Sequence, residues 1–176
     1  MNMSIENIKS SIRNVPDFPK KGIQFKDITT AVKKTEVLQE ILEVMATQFA
    51  NSKIDYVIGI ESRGFIFGSA LAYLLKCGFV PVRKSGKLPA KVISEEYSLE
   101  YGTDKLEIHE DALEKGVRVL IVDDLLATGG TAEAVAKLVK KCGAEIISFA
   151  FVVELKDLSG REKLAKYADT YSVVEY

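Results

Sequence analysis

The sequence has little of what builds a cross-linked, metal-stapled or membrane-spanning protein. Two cysteines and one histidine occur in 176 residues. That is too few for a disulfide framework or a Cys/His metal cluster. Cys77 and Cys142 each precede a glycine at an expected helix end and read as small core residues. His109 has neither a nucleophile nor a metal-ligand pattern around it and reads as structural. No apolar run reaches the roughly 18 residues of a transmembrane helix. The opening, Met1 to Ser10, is polar and mixed, unlike a signal peptide. A net charge of −1 gives no global attraction for nucleic acid or an anionic membrane. Neither the Walker A pattern nor the dinucleotide G-x-G-x-x-G occurs. No repeat or low-complexity tract interrupts the chain. Hydrophobic residues make up 47%, which excludes a disordered chain, and the length suits one domain. A cytoplasmic protein is the default expectation.

What is there centres on Val119 to Thr131, read as V-L-I-V-D-D-L-L-A-T-G-G-T. The apolar, mostly β-branched start predicts a buried parallel strand. Asp123 and Asp124 are expected to stop it. A loop of small residues follows, and Thr131 is expected to cap a helix carrying Ala134, Val135, Leu138 and Val139. In an open parallel sheet, ligands sit beyond the carboxyl ends of the strands. Gly129 and Gly130 let an anion approach the backbone, and the helix start offers free N–H groups. Two acids would repel a bare phosphate, so they suit hydroxyls or a developing positive charge beside it. A phosphorylated sugar satisfies both halves. Taken alone, the same stretch also reads as a tight connection with two solvated acids.

Elsewhere the periodicities predict alternating helices and strands. Ile5, Ile8 and Ile12 have helical spacing. Prolines 16 and 19 and Gly22 break that helix, and residues 23–28 read as extended or loop. Thr35 is expected to cap a helix with a stripe from Val37 to Phe49. Strands are expected at Asp55–Ile60, Phe79–Val82, Val92–Tyr97, Leu106–His109, Ala144–Val153 and an edge strand at Thr170–Val174. A helix runs from Phe65 to about Lys76. This alternation predicts an α/β fold, a mainly parallel sheet covered on both faces. Arg83 to Lys91 carries four cations and no acid, which alone is as readily a solvated face. Arg63, in Glu61-Ser62-Arg63-Gly64, is a planar fork that grips phosphate oxygens or simply sits on a turn.

The central stretch resembles the 5-phosphoribosyl 1-diphosphate (PRPP) motif of the type I phosphoribosyltransferases, and its wording is similar to the adenine-specific branch. E-S-R-G, R-K-S-G-K-L-P and Y-S-L-E-Y-G support the same resemblance, which covers most of the chain from Pro16 to Lys163. It implies the type I fold: a twisted, mainly parallel sheet flanked by helices, a small N-terminal hood over about residues 1–34, a core over about 35–155, and a flexible β-hairpin loop over about 94–108. The whole of 1–176 then forms a single domain.

The resemblance also implies roles. Asp123 and Asp124 hold the ribose hydroxyls and stabilise the ribose cation. Ala127, Thr128, Gly129, Gly130 and Thr131 bind the 5-phosphate. Ser62, Arg63, Arg83, Lys84 and Lys87 serve the pyrophosphate, and Tyr101 lies over the reaction centre. Glu100 handles a proton at N7 of the base. Phe25 stacks on adenine, with Gln24, Lys26 and Leu125 around it, although the family often has Arg where this chain has Lys26. A cis peptide is common before the position of Ser62. Mg²⁺ is implied through the pyrophosphate, with no dedicated protein ligands. The substrates are adenine and PRPP, giving AMP and pyrophosphate. A homodimer is implied, its basic loop near the neighbouring site. Enzymes for 6-oxopurines carry a Lys near the end of the last core strand; here only Lys156, two residues on, is available. Another base, such as guanine, xanthine or orotate, and a non-enzymatic PRPP-sensing regulator are the alternatives.

Overall fold

The computed structural model describes residues 5–98 and 103–176. The chain opens with α1 (Ile5–Ser11), then β1 (Arg13–Pro16) and β2 (Gln24–Asp27), which pair antiparallel as a small separate hairpin. Next come α2 (Thr29–Val32), α3 (Thr35–Phe49), β3 (Tyr56–Ile60), α4 (Gly64–Leu75) and β4 (Gly78–Lys84). A second hairpin, β5 (Val92–Ser98) and β6 (Thr103–His109), precedes β7 (Arg118–Leu126). The chain continues with α5 (Gly130–Cys142), β8 (Glu145–Glu154), α6 (Gly160–Leu164) and β9 (Asp169–Glu175).

The main sheet has seven strands in the order β5-β6-β4-β3-β7-β8-β9. Pairings from β4 through β3, β7 and β8 to β9 are all parallel, and β6 joins β4 and β5 antiparallel. The expected α/β fold with a mainly parallel, helix-covered sheet is therefore what the chain forms. Strand alternation divides the core in two. Val119 and Ile121 of β7 face one cluster with α5, whereas Leu120 and Val122 face the other with α3 and α4. Phe149 and Phe151 of β8 join the first cluster, Ala150 and Val152 the second. Each such fully buried large side chain contributes roughly 1.5–3 kcal/mol.

Several boundaries differ from the sequence reading. β7 does not stop at the acids: it continues to Leu126, which pairs with Glu154 of β8. Ladder bonds use the backbone, so long pairing with β8 overrides the low strand propensity of Asp. Thr35 is the first helical residue of α3, behind an extended Lys34, and supplies no side-chain cap. Thr131 does not cap α5 either. The helix starts at Gly130, behind Gly129 in the left-handed region at φ 78°. β4 runs on through Arg83 and Lys84, paired with Glu107 and Leu106. The opening segment is more than a cover, because Ile8, Ile12, Ile28 and Ala31 are buried in the second core cluster. The α1 helix, the two hairpin strands β5 and β6, and the β9 edge strand form where the periodicities placed them. Cys77 and Cys142 are free and half-buried against the core.

Candidate active site

The site lies where β7 ends and α5 begins. Three local features build it. β7 delivers Asp123 and Asp124 at the carboxyl edge of the sheet. The left-handed turn at Gly129 then aims the first amides of α5 back toward that edge. Finally α4 starts hard against the acids at Gly64, where a Cβ would fall 2.7 Å from the Val122 carbonyl and 3.0 Å from Asp123 Oδ1. Glycine is what lets the Arg63 turn come this close. A cavity of 220 Å³ opens between these parts, lined by Arg63, both acids, residues 125–132 and Phe151. A second cavity of 360 Å³ adjoins it at Gly130 and runs under the β5–β6 hairpin past Tyr97 and Thr103.

The electrostatics here are only partly compensated. Burial, and then the charge of Asp124, push the Asp123 carboxyl well above the usual range. Burial also raises Asp124, opposed by the Arg63 guanidinium. Arg63 Nε lies 2.9 Å from Asp124 Oδ2. That approach is an ion contact with an angle unfit for a hydrogen bond, so the buried Oδ2 keeps an unfilled acceptor position. Asp123 Oδ1 accepts its neighbour's N–H, at 2.8 Å. A hydroxyl donor is the natural partner for such oxygens.

The structure thus brings together Asp123, Asp124, Leu125, Ala127 to Thr131 and Arg63 around one cavity. Arg63 also sits under the hood, its guanidinium carbon 5.7 Å from the centre of the Phe25 ring. Phe25 is braced edge-on by Phe18, with ring centres 5.2 Å apart. Its neighbours are turned elsewhere. Gln24 accepts a hydrogen bond from Asn14 at 2.6 Å, and the Lys26 ammonium lies 4.0 Å over the ring of Tyr176. Ser62 is exposed, and the bond before it, Glu61–Ser62, is cis.

The basic residues are less free than the sequence suggests. Arg83 donates to Glu61 through Nη2 at 3.1 Å and Nε at 3.3 Å, and to the Lys87 carbonyl at 3.1 Å. Lys84 pairs with Asp104 at 3.0 Å, and its N–H donates to Glu61 at 2.9 Å. Glu107 accepts from Ser85 Oγ at 2.6 Å and from the Gly86 N–H at 2.9 Å. Sequence reasoning missed all three acids. Read locally, Glu61 is one residue of a turn, and Asp104 and Glu107 belong to a hairpin with nothing beside them to name a partner. Pairing of β3 and β6 with β4 makes them partners, and no local pattern announces it. Lys156 donates to Glu175 at 3.1 Å and lines a groove between α1 and β9, so it is not at the site cavity. Glu100 and Tyr101 lie outside the described residues. Among the described residues no three or more His, Cys, Asp or Glu gather as metal ligands.

Comparison with known proteins decides the family. The profile of the phosphoribosyl transferase domain matches residues 29–175. An adenine phosphoribosyltransferase of Brachyspira hyodysenteriae is 58% identical over 160 residues, covering 91% of this chain and 94% of its own. This chain belongs to the adenine phosphoribosyltransferase family. The crystal structure of the Thermoanaerobacter pseudethanolicus member, 53% identical, matches with a TM-score of 0.94 over 98% of this chain and 100% of that one. The Saccharomyces cerevisiae member, 39% identical, matches with a TM-score of 0.93 over 97% and 98% of the two chains. It was crystallised with D-2,5-dideoxy-2,5-imino-altritol 1,6-bisphosphate and adenine. The α/β architecture derived from the apolar periodicities is therefore the type I phosphoribosyltransferase fold.

Proposed function

We propose that the chain transfers the 5-phosphoribosyl group of PRPP to adenine, forming AMP and pyrophosphate. The observation that carries this reading is the buried Asp124 Oδ2 without a hydrogen-bond partner, set beside the left-handed Gly129 turn. One feature calls for a hydroxyl and the other for a phosphate. A phosphoribosyl group has both. The relatives named as adenine phosphoribosyltransferases, and the yeast complex with adenine, support the choice of base.

In this reading the amides and hydroxyls of Ala127 to Thr131 bind the 5-phosphate, each charged hydrogen bond contributing roughly 1.5–3 kcal/mol. Asp123 and Asp124 accept from the ribose hydroxyls and stabilise positive charge as the bond to pyrophosphate breaks. Arg63 leaves Asp124 for the diphosphate, with Ser62, Arg83, Lys84 and Lys87 nearby. Phe25 covers the base, beside Leu125 and the backbone of Gln24 and Lys26. Glu100 handles the proton at N7, and Tyr101 closes over the centre. Mg²⁺, carried in on the diphosphate oxygens of PRPP, would supply charge neutralisation there.

A homodimer and a cytoplasmic location complete the reading. Ile66, Tyr73 and Leu74 leave an apolar face of α4 exposed, which suits a second copy. The two free cysteines suit a reducing compartment.

The test is an assay with PRPP and Mg²⁺ against adenine, hypoxanthine, guanine, xanthine and orotate. AMP and pyrophosphate from adenine alone are expected. Turnover only with an oxo-base would replace the substrate, and PRPP binding without pyrophosphate release would make the chain a sensor. In the same assay Glu100→Gln should lower kcat by about 10²-fold or more, the scale of a lost general acid or base, with PRPP affinity nearly kept.

A further inference from the structure

The phosphate loop rests on a second backbone segment that the reaction does not touch. Gly160, at the start of α6, is buried directly against it. A Cβ on Gly160 would run into the Ala127 carbonyl and lie 2.9 Å from Leu126 Cδ1 and 3.1 Å from the Gly129 nitrogen. The contact is mutual, since a Cβ on Gly129 would lie 2.9 Å from the Gly160 carbonyl oxygen. Two glycines therefore meet backbone to backbone, with no side chain to give way.

The next residue fixes this floor in place. Arg161 donates from Nε to Glu154 Oε1 at 2.9 Å, and from its Nη groups to Glu154 Oε2 and the Thr170 carbonyl. Glu154 is 3% exposed and also accepts from Ser172 Oγ at 2.7 Å. One guanidinium thus ties the start of α6 to the last residue of β8 and to β9. The backbone adds a link, as the Leu155 N–H donates to the Leu126 carbonyl at 2.9 Å.

We infer that Gly160 and Arg161 are positioning residues for the 5-phosphate. Arg161, braced by Glu154, presses the Gly160 backbone against Ala127–Gly129 and so sets where the loop amides point. The inference rests on the phosphoribosyl reading above and predicts which half of PRPP suffers when the floor shifts.

The experiment compares wild type with Gly160→Ala. The expected result is a KM for PRPP raised about tenfold or more, a KM for adenine within about twofold, and kcat within about threefold. Direct binding separates the two ends of the substrate: ribose 5-phosphate affinity should fall by a similar factor, and pyrophosphate affinity should hold. An unchanged KM for PRPP, or equal losses of ribose 5-phosphate and pyrophosphate, would overturn the inference. Should Gly160→Ala not fold, Arg161→Lys is scored by the same criteria. It keeps the cation but loses the two-pronged grip, so a shift of the same kind and smaller size is expected. Wild type that binds neither PRPP nor ribose 5-phosphate would instead refute the parent reading.

Discussion

Two clusters of charge sit at the same edge of the sheet and are built on opposite terms. At the end of β7, burial holds Asp123 and Asp124 above the usual carboxylate range, and an acceptor oxygen is left unfilled. Around β4 the carboxylates go the other way. Glu61 is held low despite its desolvation, by the Arg83 hydrogen bonds and the Lys84 N–H. Hydrogen bonds from Ser85 and Gly86 lower Glu107, and the hydrogen bond from Lys84 lowers Asp104. One cluster waits for a ligand; the other has already found its partners. A buried acceptor without a hydrogen-bond partner is where a donor would gain binding energy, whereas an acid already satisfied gains little more.

The largest test of that contrast is Asp123→Asn combined with Asp124→Asn. Activity should fall by about 10³-fold or more, the scale of losing preorganised electrostatic groups. Stability should move the other way. Both carboxyls bind their protons more tightly in the folded chain than in the unfolded one. That linkage favours folding below the unfolded pKa near 3.9 and is lost as pH rises through the folded values. At neutral pH the buried charges oppose folding, and the amides relieve this. The melting temperature should rise by about 2–4 °C for each kcal/mol relieved. A calorimetric scan showing a lower melting temperature would erase the contrast.

Glu107→Leu probes the satisfied cluster. It removes the acceptor shared by Ser85 Oγ and the Gly86 N–H, which water can then reach, so a stability loss of about 0.5–1.5 kcal/mol is expected by urea unfolding. Glu61→Gln should do less, about 1 kcal/mol or under, since Arg83 is partly exposed. Its larger effect should be on KM for PRPP, with KM for adenine held. Equal changes in both constants would mean that Arg83 does not face the diphosphate.

The smallest effect concerns the hood. Hydrogen bonds from Arg13 and Thr29 lower the Asp27 carboxyl to about 2. Its folded pKa lies below the unfolded value, so its contribution is complete above about pH 4 and is lost as pH falls through about 2. Amide exchange at Gln24 to Asp27 should quicken across that window, and Asp27→Asn should remove the pH dependence.

The frame of the molecule was legible because it depends on runs and periods. Val119 to Val122 could only be a buried strand, and Val37 to Phe49 only one face of a helix. Asp123, Asp124 and the glycine turn stand out in the sequence as two acids and a glycine pair between an apolar run and a helix, and the structure sets them around one cavity. The helix starts were misread because a threonine before an apolar stripe looks like a cap, whereas the left-handed turn at Gly129 leaves Thr131 inside the first turn. The Glu61–Arg83, Lys84–Asp104 and Glu154–Arg161 pairs were hidden for another reason. Each partner looks like an ordinary surface charge until strand register or a reversal of the chain brings the two together.

Tyr176 gives the hood an unexpected moor. Its hydroxyl donates to the Lys9 carbonyl at 3.0 Å, and its ring carries the Lys26 and Lys9 ammonium groups at 4.0 and 4.7 Å. The arm bearing Phe25 is thereby guyed to the outermost strand, β9, rather than only to the elements beside it in sequence. The position of Phe25 then depends in part on a cation–ring tether, one that strong salt would slacken before it touched the apolar packing of Ile28 and Ala31.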